Sequence, residues 1–237
     1  MQRNRTEQGS DEAVRGAPSQ TDRPGQASSS RSEEFLKRSY SMHGPDEAVS
    51  LYKDWAPSYD QQLQSELGYL SPKRVADLAA EWVVDRAAPV LDVGCGTGLT
   101  GAAMKSHEYT TIDGVDISPE MIALAQAKGI YREIFEADLL KPLPLASDAY
   151  GAAVSSGTFT HAHVGAVALD EVFRVLRPGG ILVCTIHADV FEPAGFRAKI
   201  ASLTEAGRIA VRHRHEAALF EGEASDGLYY VIEVLGA

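Results

Sequence analysis

The chain is poor in cysteine, poor in basic residues and without any long apolar run, and each shortage removes a class of function. Its two cysteines, Cys95 and Cys184, both lie in apolar segments, so they supply no disulfide framework and fit a reducing compartment. Lys and Arg total 22 against 33 Asp and Glu, a formal net charge of -11, whereas binding nucleic-acid phosphates needs clustered cations. No stretch approaches eighteen apolar residues and the N-terminus has no apolar signal region, so neither a membrane span nor export is expected. A soluble cytoplasmic protein is expected, acting on a small molecule or a protein, with no nucleic-acid and no membrane partner.

With 237 residues, 44% of them hydrophobic, the chain can hold one α/β domain with a proper core plus an extension. Residues 1–32 are rich in Gln, Ser, Gly, Arg and acids and cannot bury enough surface to offset ordering entropy, so disorder is expected there. Residues 33–86 carry Phe35, Tyr40, Leu51, Tyr52, Trp55, Tyr59, Leu63 and Tyr69 at roughly helical spacings and read as a helical lid. From residue 87 onward β-rich runs alternate with amphipathic stretches, the pattern of a mostly parallel sheet with helices on both faces. Strands are expected over 90–93, 110–115, 133–136, 149–155 and 181–186, and helices over 98–106, 119–128, 164–176 and 193–206. Two last β-rich runs, 208–220 and 228–235, lack a helix between them and carry Asp226-Gly227 as a turn, so they close the sheet as an antiparallel pair.

The run Val90-Leu91-Asp92-Val93-Gly94-Cys95-Gly96-Thr97-Gly98 is the most specific signal in the chain. Three alternate glycines let the backbone turn sharply after a buried strand and approach a ligand that any Cβ would block. Asp116 then falls at the end of the next strand, where a carboxylate accepts ribose hydroxyls. The spacing is Gly-x-Gly-x-Gly after an Asp, not the Gly-x-Gly-x-x-Gly of pyrophosphate binders, and Asp92 would repel phosphate. Residues 116–120 also read as a strand end and a capped helix, with Ser118 as N-cap and Pro119 at the first helical position, and the two readings are compatible.

These residues resemble the class I S-adenosylmethionine-dependent methyltransferases, whose first motif is an acid, x, Gly-x-Gly-x-Gly. Ala137-Asp138-Leu139 and the turn Arg174-Val175-Leu176-Arg177-Pro178-Gly179-Gly180 follow in that family's order and spacing, and from about Val49 onward the chain is similar to the methyltransferase-like protein 27 group. The resemblance implies a Rossmann-like α/β fold with a seven-stranded, mostly parallel sheet, an antiparallel C-terminal strand pair and an N-terminal helical lid. It implies S-adenosyl-L-methionine as cofactor, leaving S-adenosyl-L-homocysteine. Tyr59, Asp92, Gly94, Cys95, Gly96, Gly98, Asp116, Ile117, Met121, Asp138, Leu139 and Ser155 are the cofactor-binding candidates, Asp92 toward the methionine portion, Asp116 at the ribose, Asp138 and Leu139 at the adenine. Cys95 is read as a small residue beside the cofactor, and Pro178-Gly179-Gly180 as a structural turn.

Ligands of open α/β sheets lie beyond the carboxyl ends of the strands, so the run from Ser155 to Val164 faces the transferred methyl. It lacks the Asn/Asp-Pro-Pro-aromatic motif of enzymes that methylate bases. His163 and His161 are the candidate catalytic bases, since a neutral imidazole can take a proton from an oxygen or nitrogen acceptor; both also fit as polar residues at a helix start. Tyr52, Tyr69, His187, Phe191 and Phe196 are the candidate acceptor contacts, and no residue is assigned to a metal. Transfer to an O- or N-nucleophile of a small molecule is the leading expectation, with methylation of a protein side chain or a non-catalytic cofactor-binding module as alternatives.

Overall fold

The structure, a computed structural model, describes residues 24–42, 44–161 and 164–236. Seven strands form one sheet in the order β3-β2-β1-β4-β5-β7-β6. They are β1 Val90–Val93, β2 Ile112–Asp116, β3 Ile134–Glu136, β4 Tyr150–Phe159, β5 Leu176–His187, β6 Ile209–Ala217 and β7 Gly227–Val234. The first five pair in parallel, and β7 runs antiparallel between β5 and β6. This is the expected Rossmann-like sheet with its antiparallel close.

The strand pleat divides the core. Leu91, Val93, Ala153, Leu182 and Cys184 face one layer, packed by α7 (Ala168–Val175) and α9 (Phe196–Glu205). Val90, Ala152, Val154, Ile181 and Val183 face the other, packed by α4 (Ser71–Trp82) and α5 (Leu99–Ser106). The alternation follows from the period of two along a strand, and both faces are apolar because both are covered. Helix α6 (Pro119–Ala127) packs near β2 and β3. Ser118 caps it: its hydroxyl accepts the Met121 N–H at 3.4 Å, with Pro119 at the first helical position.

The N-terminal segment is α1 (Pro24–Ser39), α2 (Pro45–Trp55), a 3-10 turn (Ala56–Ser58), the single turn α3 (Tyr59–Gln61) and a π turn (Gln62–Glu66) ahead of α4. Trp55 anchors it: the indole is 2% exposed, stacks on Phe35 at 5.3 Å and donates to Gln62 Oε1 at 2.8 Å. Helix α1 begins at Pro24, inside the segment 1–32 for which disorder is expected. The rest of the expected disordered segment, residues 1–23, lies outside the described residues.

Two element boundaries also move. The helix expected from residue 164 starts at Ala168, because 164–167 form a turn closed by Ala168 N–H to Gly165 O at 3.1 Å. The Arg-Pro-Gly-Gly segment is the irregular first part of β5: Leu176 already pairs with Tyr150, and the register shifts before Ile181. Among the described residues no helix is long and apolar enough to cross a membrane.

Candidate active site

Strand order reverses between β1 and β4, and the cleft lies there, beyond the carboxyl ends of β1, β2 and β4. It is lined by Tyr59, Gly94, Gly96, Asp116, Ile117, Met121, Asp138 and Leu139, eight of the residues expected at a cofactor. Tyr52, expected at the acceptor, lines it as well.

Asp116 is the fixed point of this cleft. Its Oδ2 accepts the Gly96 N–H at 2.8 Å and its Oδ1 the Ser118 N–H at 2.9 Å, so both oxygens are oriented by backbone. Burial pushes its pKa up, against the pull of the backbone donors at Ser118, Gly96 and Ile117. Gly96 has φ +51°, and a Cβ there would stand in open space at the wall of the cleft. Gly94 is needed for a different reason, because a Cβ at 94 would stand 2.2 Å from Thr158 Oγ1, which itself donates to Val93 O at 3.0 Å. Asp138 is turned by its own loop, accepting the Leu140 N–H at 2.9 Å.

Four expected cofactor residues stay out of the cleft wall. Asp92 is 1% exposed and accepts the Tyr131 hydroxyl at 2.7 Å, while its Oδ1 accepts no hydrogen bond. Burial raises its carboxyl to about 7. Gly98 serves Tyr131 too: a Cβ there would press on the ring at 3.0 Å, and one at Gly101 would lie 2.3 Å from the hydroxyl oxygen. Cys95 is buried, its thiol pushed well above the usual range by burial, so it is no nucleophile. Ser155 points back at the strand, donating to Val93 O at 2.8 Å, and its neighbours Ser156, Gly157 and Thr158 line the cleft instead.

A second pocket adjoins the first, sharing Tyr52, Tyr59 and Gly157 with it. Its remaining walls include Tyr40, Trp55, Tyr69 and Phe220, and among the described residues no charged side chain lines it. Tyr69 reaches in because residue 157 is glycine, where a Cβ would stand 2.5 Å from the Tyr69 oxygen. The Tyr69 hydroxyl bonds Ser156 Oγ at 3.1 Å, and burial raises it to about 12.

His187, Phe191 and Phe196, expected at the acceptor, line neither pocket. Phe196 packs edge-on to Phe159 at 5.4 Å and Phe191 stacks on Tyr230 at 5.8 Å, both inside the core layer that α7 and α9 cover. The short helix α8 (Ala188–Phe191) after β5 carries the chain to that face, which the sequence position of the rings did not indicate. His161 also lines neither pocket, and His163 lies outside the described residues. Val164, the residue after it, lines the cleft.

Comparison with known proteins agrees with this fold. Residues 91–184 match the family described as Methyltransferase domain. Human methyltransferase-like protein 27 is 34% identical over 162 residues, covering 66% of this chain and 65% of that protein. The chain spans less than two thirds of the length of the curated relatives it matches first, 65%, 47% and 26%. Among solved structures, the Haloferax volcanii protein crystallised with the Trm112 methyltransferase activator superposes with a TM-score of 0.62 at 18% identity, covering 78% of this chain and 98% of that one. The [4+2]-cyclase SpnF superposes with a TM-score of 0.52 at 21% identity, covering 69% and 81%. Both likenesses show the fold.

Proposed function

We propose that this chain, which carries a methyltransferase domain on a Rossmann-like sheet, transfers a methyl group from S-adenosyl-L-methionine to an oxygen or nitrogen of a small, uncharged molecule. The observation that carries the reading is the pair of joined pockets, one built around Asp116 and open space at Gly96, the other aromatic and free of charged side chains. The donor set fits the cofactor: among the described residues, two carboxylates, Asp116 and Asp138, and no Lys, Arg or His line the cleft, which suits a nucleoside without phosphates. Asp116 and the loop at Gly96 would hold the ribose, Asp138 and Leu139 the adenine, and Tyr59 and Tyr52 the methionine end. When bound, the cofactor supplies an electrophilic methyl on a sulfonium.

What the protein adds is mainly alignment and exclusion of water. Tyr52 and Tyr59 form the wall common to both pockets, their rings edge-on at 6.0 Å, so they would fix the acceptor against the methyl in a dry site. Burial holds both hydroxyls protonated. His163 is the group we assign to remove the acceptor proton; His161 is turned toward Asp189, at 3.3 Å. A second reading, a cofactor-binding protein that does not transfer methyl, has support in the same fold's occurrence in a protein described as a [4+2]-cyclase.

Calorimetric titration with S-adenosylmethionine, S-adenosylhomocysteine and NAD tests the cofactor: the first two should bind and NAD should not. Silence from both sulfur ligands would remove the proposal. Labelled methyl transfer to a panel of neutral phenols and amines then separates the two readings. His163→Ala should lower turnover about 10²–10⁴-fold with cofactor affinity unchanged.

A further inference from the structure

Three residues that the sequence separates by as many as twenty-eight positions converge at the carboxyl edge of β4 and β5. Parallel pairing places Phe159 beside Ile186, so His161 and His187 leave the sheet side by side. Their ring centroids are 4.5 Å apart at 64°. Asp189, in α8, comes back toward both: its Oδ2 is 3.3 Å from His161 Nε2 and 3.9 Å from His187 Nδ1. One ligand atom from each of the three lies within 4.8 Å of the others.

We infer that His161, His187 and Asp189 form a binding site for a divalent transition-metal cation such as zinc. Tautomer is the first argument. His187 Nδ1 accepts the Asp189 backbone N–H at 3.2 Å, so that nitrogen carries a lone pair and the proton sits on Nε2, which faces Asp226 Oδ2 at 3.4 Å. A carboxylate behind the imidazole is the arrangement that orients metal-ligating histidines and raises their basicity. The cation would take over the Nδ1 lone pair now shared with the backbone.

Shape and charge agree. His187 is 5% exposed and forms the inner wall, Tyr40 packs on both imidazoles at 4.9 and 5.5 Å, and Asp189 stands at the open side. Two imidazoles and one carboxylate suit a cation of borderline softness; magnesium and calcium want oxygen-rich shells. Three protein ligands leave a coordination position open, as catalytic rather than structural sites do. Tyr40 also lines the aromatic pocket, so the site borders the space assigned to the acceptor. The inference does not depend on methyl transfer, because binding is read on the protein without cofactor or acceptor.

The test uses the untagged full chain, stripped with chelator and titrated with zinc by calorimetry and with cobalt by absorption spectroscopy. One equivalent should bind, and cobalt should give the intense visible bands of a low-symmetry nitrogen and oxygen site. Asp189→Ala, at an exposed side chain, and His161→Ala should each weaken zinc binding by about a hundredfold or more, and Asp226→Asn by about tenfold, with circular dichroism unchanged. The double variant His213→Ala/His215→Ala, which removes the other close imidazole pair at 2.9 Å on β6, should leave binding intact. Absence of a saturable single site, or binding that survives both Asp189→Ala and His161→Ala, or that disappears with the β6 pair, overturns the inference.

Discussion

At the scale of single residues, the cleft depends on a carboxylate whose two oxygens are both held by backbone. Asp116 needs no rotamer search to meet a diol, because Gly96 and Ser118 have already fixed it. Asp116→Ala should cost about 1.5–3 kcal/mol in cofactor affinity, the range for hydrogen bonds to a charged group. Calorimetry on the folded variant checks it, and an unchanged affinity would remove Asp116 from the site. The position of Asp116 was legible in the sequence because a strand end and a glycine loop locate it. Tyr131 was not legible: it meets Asp92 across 39 positions, and its berth is made by glycines at 98, 101 and 114 whose spacing has no period of its own. Ser155 stays out of the cleft wall. The Ser155 hydroxyl bonds β1, and the register of β4 against β5 shifts after it, so Ser156, Gly157 and Thr158 come to line the cleft.

At the scale of elements, the sheet was read correctly because buried parallel strands announce themselves as short β-branched runs between glycine turns. How the N-terminal helices are fastened was not readable, since the fastening is made of long-range polar contacts. Asp60, in the single turn α3, receives the Thr97 hydroxyl from the glycine loop and pairs with Lys128 at 2.6 Å at the end of α6. Half-exposed pairs of this kind contribute little to global stability, because solvent screens them. Their effect is local. Asp60→Ala should speed amide hydrogen exchange across residues 52–66 and leave the urea midpoint nearly unchanged. If exchange there is unaltered, Tyr52 and Tyr59 are held by the Trp55 core alone and the latch has no function.

At the scale of the whole molecule, the electrostatic balance changes with pH through a few groups, and the buried Asp92 runs opposite to the carboxylates held by cationic partners. Glu171, hydrogen-bonded to Arg174 and to the Leu143 N–H, is held below the ordinary carboxylate range, as is the surface acid Asp77 beside Lys73 and His107. Such groups contribute stability above their unfolded pKa and lose it as pH falls. Asp92 runs the other way: burial raises it from 3.8 to about 7, so the folded chain holds that proton more tightly than the unfolded one. Its contribution is most favourable below the unfolded pKa and is lost as pH rises through the folded one. Asp92→Asn keeps an acceptor for the Tyr131 hydroxyl and cannot ionise. The difference in unfolding free energy, variant minus wild type, should therefore shift in the variant's favour between about pH 5 and about pH 8, cancelling the carboxylates common to both proteins. Urea denaturation of the two proteins at both pH values measures it. A difference that does not change with pH would mean that Asp92 is already ionised in the folded protein, with water or a counter-charge reaching its second oxygen.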